Sequence, residues 1–195
     1  MKPVAVHDAT ANAIFWGGTI AWLLGELGMM ARTSGGGIRS RDATTVALTA
    51  AVLAGLALAV LAANRLDELT LPGPGWWPLA VGLTLVVAGF ALRVWSVRTL
   101  GRFFKYRVVV QEGHEVVQSG PYARIRHPSY TGMVVCSAGV GLALGNWLAI
   151  IAAAAPTLVG FTLRLLSEER VLGAELGRPY REYMARTKRL IPGVW

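Results

Sequence analysis

Four stretches of this chain, 12–30, 44–64, 76–97 and 130–166, are so nearly continuous in apolar residues that hydrocarbon is the only solvent that suits them. Each of the first three has roughly the 20 residues a helix needs to cross ~30 Å of hydrocarbon at about 1.5 Å per residue. The fourth is far too long for one span. Gly145-Asn146-Trp147 supplies turn chemistry inside it, so it predicts two helices broken there, and Pro156 must then bend the second helix or lie near its start. With 54% hydrophobic and 15% charged residues, the 195-residue chain leaves little for a separate soluble domain. The expected fold is an all-α integral membrane protein of about five transmembrane helices forming a single membrane domain over 1–195. Three N-terminal helices fill 1–97, and a more polar half covers 98–195.

The basic residues orient these helices. Three fall in 31–42 (Arg32, Arg39, Arg41), six in 98–129 (Arg98, Arg102, Lys105, Arg107, Arg124, Arg126) and seven from Arg164 onward, so one side holds 16 of the 19. The positive-inside rule then sets the N-terminus outside and the C-terminus in the cytoplasm. The net charge of +8 reads as topology and attraction to anionic lipid, and no nucleic-acid partner is expected.

Several features have plain readings. The single cysteine, Cys136, rules out an intramolecular disulfide and reads as packing, and no metal site is expected. The first apolar run contains Glu26 and lacks a small-residue cleavage site, so it reads as a retained anchor. Gly139, Gly141 and Gly145 lie in apolar helix rather than between a strand and a helix. Close helix packing through Gly141 and Gly145 is therefore expected, without a Rossmann fold. Glu26 and Arg93 fall within or near the ends of the first and third spans; a mutual pair or snorkelling to the headgroups accounts for them.

The chemistry-bearing residues gather elsewhere. Between Gly120 and Gly132 the chain reads Gly-Pro-Tyr-Ala-Arg-Ile-Arg-His-Pro-Ser-Tyr-Thr-Gly, and after the apolar pair come Arg164, Glu168, Glu169 and then Gly177-Arg-Pro-Tyr180-Arg-Glu-Tyr183. Ionisable groups at a hydrocarbon edge are costly unless paired or used. This order and spacing resembles the isoprenylcysteine carboxyl methyltransferase family, within the wider group of membrane methyltransferases. The likeness extends over roughly 90–195 and includes Leu100-Gly101-Arg102-Phe103 and His114-Glu115-Val116-Val117.

The resemblance implies an S-adenosylmethionine pocket in the cytoplasmic C-terminal half. His114, Val116, Tyr122, His127, Pro128, Tyr130, Gly132 and Glu168 would form it, and Tyr180 and Tyr183 would close it. It also puts the family's catalytic pair on Arg164 and Glu169. A carboxylate nucleophile is already deprotonated at neutral pH and needs a cation to hold it, which suits the two-pronged donor geometry of Arg164. Glu169 would orient that guanidinium or the substrate. The implied acceptor is a membrane lipid or lipophilic molecule that enters laterally while the cofactor enters from the cytosol. The short length and the Ala-, Gly- and Arg-rich composition suggest a prokaryotic member in a bacterial inner membrane. Two alternatives remain open: methylation of a lipid amine or thiol, and a non-methylating ligand-binding protein or reductase of similar architecture.

Overall fold

The computed structural model describes residues 3–33, 43–73, 75–104 and 115–195, so the candidate His114 lies outside the described residues. Among the described residues seven α-helices follow in order: α1 (Val4–His7), α2 (Ala9–Thr33), α3 (Ala43–Arg65), α4 (Trp77–Leu100), α5 (Pro128–Ala143), α6 (Trp147–Glu175) and α7 (Gly177–Arg186). No strand occurs among the described residues beyond two isolated bridges, Thr70 with Asn146 and Ile125 with Lys188.

Long stretches of α2, α3, α4 and α6 are apolar enough to cross a membrane. These are four of the about five spans expected; the remaining helix, α5, has 16 residues and rises only about 24 Å, and it packs along both α4 and α6. The protein is an integral membrane protein. Its outer faces carry Leu24, Val87 and Leu163, 62%, 70% and 65% exposed, where a soluble protein would carry charge.

Lipid tails are as apolar as leucine, so helices in a bilayer associate mainly by close packing of small residues. The α4–α5 crossing is built this way. A Cβ on Gly139 would stand 2.7 Å from the Gly82 carbonyl oxygen, and one on Gly132 would stand 2.5 Å from that of Gly89. Cys136 sits between these two crossings with no exposure, its thiol donating to the Val86 carbonyl at 3.3 Å. The plain reading of that cysteine was right. Gly141 likewise packs against the Ala149 backbone of α6. Gly145 does not: it is the turn residue itself, at φ +67°, which any side chain would strain.

The α5–α6 turn falls where Gly145-Asn146 requires it. Asn146 has no exposure; its side-chain oxygen caps α6 by accepting from Leu148 N (2.9 Å) and Ala149 N (3.1 Å), and its amide donates to Leu66 O at 2.9 Å. That last bond ties the turn to the end of α3. Pro156 lies inside α6 without ending it. Gly55 of α3 approaches α6 there, its hydrogen standing where a Cβ would be 2.8 Å from Ala152 O, the carbonyl that the proline leaves without its usual helical donor. At 29 residues, α6 is about 44 Å long, so its last turns leave the hydrocarbon and carry Arg164, Glu168 and Glu169 to the membrane edge.

Candidate functional site at the edge of the bundle

The run from Gly120 to Gly132 covers the end of the α4–α5 connection and the first residues of α5. Gly120–Ala123 forms a short 3-10 turn, and Pro128 opens α5 with its fixed φ and missing N–H, just after His127. Two consecutive residues therefore place His127 at the membrane edge and begin the helix that carries Tyr130. Their rings stack at 5.3 Å with planes 3° apart, and Tyr130 packs in turn on Phe161 of α6 at 4.7 Å.

Two charged groups meet on Tyr130. Its hydroxyl donates to Glu168 Oε2 at 2.5 Å and accepts from Arg164 Nε at 3.1 Å. Arg164 and Glu168 are four residues apart on α6, so they share a face, and the phenol bridges cation and anion. The Arg164 residue is 6% exposed, and both it and Glu168 line a cavity of about 460 Å³.

The cavity changes character along its length. Its polar end is walled by Val116, Tyr122, Arg126, His127, Tyr180 and Tyr183 as well as the Arg164–Tyr130–Glu168 cluster. Its deeper end runs between α2 and α3, lined by Leu23, Leu27, Leu48, Val52 and Leu53, with Met133 and Phe161 beneath. There α2 and α3 hardly touch, because α2 packs on α1 and α4 while α3 packs on α6. Leu27 and Leu53 are half exposed at that gap, which opens the cavity sideways toward lipid.

Of the residues the sequence nominated, Val116, Tyr122, His127, Tyr130, Arg164, Glu168, Tyr180 and Tyr183 come together on this wall. Pro128 and Gly132 do not. Pro128 is fully buried at the start of α5, and Gly132 is spent on the crossing with Gly89, so both shape the wall from behind. Glu169 also departs from expectation. It does not bond Arg164, because five residues along a helix is ~140° around it, and it faces the opposite side. There its Oε1 accepts from Arg126 Nε at 2.7 Å and from His127 Nε2 at 3.2 Å, while Oε2 accepts from Arg189 Nε at 3.0 Å. Since a carboxylate only accepts, the His127 Nε2 carries the proton, leaving Nδ1 3.9 Å from Glu168.

A lid closes over this cluster. Tyr183 of α7 donates to Tyr122 O at 2.8 Å, and Arg126 donates to Met184 O at 2.9 Å and to Thr187 O, pinning the C-terminal end of the lid. Burial pushes the Tyr183 phenol up to about 12, and burial with the nearby Glu168 pushes Tyr180 and Tyr122 up as well. All three phenols stay protonated donors at neutral pH. Sequence reading did not single out Arg126 as a site residue, although it sits beside His127. Nor did it find the α2 and α3 wall, where a leucine facing a cavity cannot be told from one facing lipid. Glu26 and Arg93 do form the expected mutual pair, at 2.6 Å, and Arg93 also donates to Ser129 Oγ at 2.6 Å.

Residues 81–174, from α4 to the end of α6, match the sequence profile of the isoprenylcysteine carboxyl methyltransferase family. The chain is 36% identical over 121 residues to protein-S-isoprenylcysteine O-methyltransferase B of Arabidopsis thaliana, a match covering 61% of each chain. It is 32% identical over 120 residues to the protein-S-isoprenylcysteine O-methyltransferase of Tribolium castaneum, covering 60% of this chain and 43% of that one. The chain thus spans less than two thirds of these relatives' length. Its fold resembles the solved structure of a eukaryotic intramembrane Ras methyltransferase, with TM-score 0.73 and 24% identity over 97% of this chain and 70% of that one. These relatives are eukaryotic, from plants and animals, so the bacterial origin suggested by composition is not borne out. The matched region holds the Tyr130, Arg164, Glu168 and Glu169 cluster, while α2, α3 and α7 lie wholly outside it.

Proposed function

We propose that this protein is a membrane carboxyl O-methyltransferase that transfers the methyl group of S-adenosylmethionine to the carboxylate of a prenylcysteine-like lipid acid. One observation carries the reading: a single cavity is polar and lidded at one end, apolar and flanked by the lipid-facing α2–α3 gap at the other, with Arg164 between.

The residues present suit the cofactor. Glu168 keeps 27% of its side chain exposed and, among the described residues, engages Tyr130 and, at 3.9 Å, His127, which leaves acceptor capacity for ribose hydroxyls or an ammonium group. Tyr122, Tyr180 and Tyr183 offer aromatic faces to adenine and to a sulfonium cation. When bound, S-adenosylmethionine would supply a methyl group activated by its sulfonium, with the neutral thioether S-adenosylhomocysteine as the leaving group. The protein then has to orient the nucleophile and keep water from it. Arg164 holds the acceptor carboxylate, and Tyr130 fixes Arg164 and Glu168 relative to each other. Glu169 acts indirectly, by seating His127 and Arg126. The gap between α2 and α3 admits the lipid tail, and α7 screens the reacting end from the cytosol.

A ligand that binds only the folded state raises the melting temperature by mass action. S-adenosylhomocysteine is therefore expected to stabilise the detergent-solubilised protein while NADPH leaves it unchanged; stabilisation by NADPH alone would favour the reductase alternative. The same reading requires the polar end of the cavity to face the cytosol. A reporter fused after Trp195 should be cytoplasmic and one placed before Val4 external, in keeping with the one-sided distribution of the basic residues. The reverse labelling would remove the cofactor's entrance.

A further inference from the structure

After α7 the chain returns to the site. Arg126 N donates to Lys188 O at 2.8 Å, His127 N to Arg189 O at 3.0 Å, and Thr131 Oγ1 to Leu190 O at 2.8 Å. Residues 188–190 thus lie alongside the start of α5, at the level where that helix enters hydrocarbon. The chain then folds back through Pro192 and Gly193, the latter at φ +77°, so that Leu190 N and Ile191 N both donate to Trp195 O at 2.7 Å. The result is a hook whose outer surface is Ile191, Val194 and Trp195, 52%, 71% and 37% exposed.

Around this apolar tip stand cations. Lys188 and Arg124 are exposed, and the Arg189 guanidinium lies 6.0 Å from the centre of the Trp195 ring. No acidic residue occurs in 188–195. Glu169, the carboxylate that Arg189 engages, already serves Arg126 and His127. Apolar and aromatic groups ringed by Lys and Arg at this depth match a leaflet whose headgroups are negative and whose boundary accepts side chains. A neutral leaflet would leave the basic ring without complement.

We propose that the 188–195 hook docks into an anionic lipid leaflet, and that docking tightens the catalytic pocket through Arg189 and Glu169. The mechanical link is short. The hook's backbone holds Arg126 and His127 in place, and its Arg189 side chain shares one carboxylate with them. Fixing the hook therefore restrains two residues of the cavity wall.

The docking can be read without any assumption about the reaction. Cys136 is buried, so a fluorophore attached to a Val194→Cys variant reports on the hook alone. The protein is placed in nanodiscs of phosphatidylcholine with a third phosphatidylglycerol, with bromine carried on one lipid or the other at equal bromine content. Quenching should be several-fold stronger when phosphatidylglycerol carries it, and Lys188→Gln with Arg124→Gln should remove the preference. Equal quenching by both lipids, or none, would overturn the docking. The coupling, which rests on the methyltransferase reading, is measured as the Kd of S-adenosylhomocysteine. It should be several-fold tighter in anionic than in neutral nanodiscs, a difference lost in an Ile191→Ser, Val194→Ser variant. Equal affinities in the two membranes would overturn the coupling. Absence of binding in either would overturn the methyltransferase reading and the coupling with it, while the quenching result still decides the docking.

Discussion

Replacing Arg164 by lysine is expected to lower turnover on the acceptor by ~10²-fold or more while leaving S-adenosylhomocysteine affinity within about twofold, as loss of a positioning contact at the reacting centre predicts. Lysine keeps the charge, but its single ammonium cannot reproduce a planar fork that engages a carboxylate while Nε holds Tyr130. Cofactor affinity should survive because Glu168 and the aromatic wall remain. Parallel kinetics and calorimetry on wild-type and variant protein read both quantities. Near-normal turnover would return Arg164 to a structural charge that secures Tyr130 and would shift the acceptor away from carboxylates.

The second large effect concerns stability. Glu169→Ala should cost about 3–5 kcal/mol, the range for removing one partner from a buried ion pair, because Arg126, His127 and Arg189 would lose their shared carboxylate. Glu168→Ala should behave differently. Glu168 is more exposed and holds one phenol, so that variant should keep most stability and instead weaken S-adenosylhomocysteine by about 1–3 kcal/mol, the cost of removing a polar partner. Unfolding midpoints in detergent alongside ligand affinity separate the two adjacent glutamates. A Glu169→Ala protein of normal stability that fails only in turnover would restore a direct chemical role to Glu169.

These two neighbours also mark where sequence reading reached its limit. The helices were legible because a bilayer imposes length and apolarity on each span, and the Gly145-Asn146 turn because a buried asparagine capping a helix follows from its chemistry. The pocket was legible in part, since Tyr130, Arg164 and Glu168 are ionisable or aromatic groups at a hydrocarbon edge. The partner of Glu169 was not, because Arg126, His127 and Arg189 reach it from elsewhere in the chain, and only the phase of α6 reveals which way it faces. Gly132 failed for a related reason: a glycine beside a motif can serve a ligand or a helix crossing, and Gly89, 43 positions earlier, decides it. The lipid-facing gap between α2 and α3 depends on two apolar helices failing to touch, which no local pattern records.

The central claim, transfer of a methyl group to a lipid carboxylate, is most directly tested by incubating the purified protein in nanodiscs with methyl-tritiated S-adenosylmethionine and N-acetyl-S-farnesylcysteine. The product is extracted into organic solvent and treated with base. A carboxyl methyl ester releases its label as volatile methanol, and that release, absent in the Arg164→Lys protein, is the expected result. Label that enters the lipid but resists base would place the methyl group on nitrogen or sulfur, and no transfer to any lipid acid, despite bound S-adenosylhomocysteine, would contradict the account.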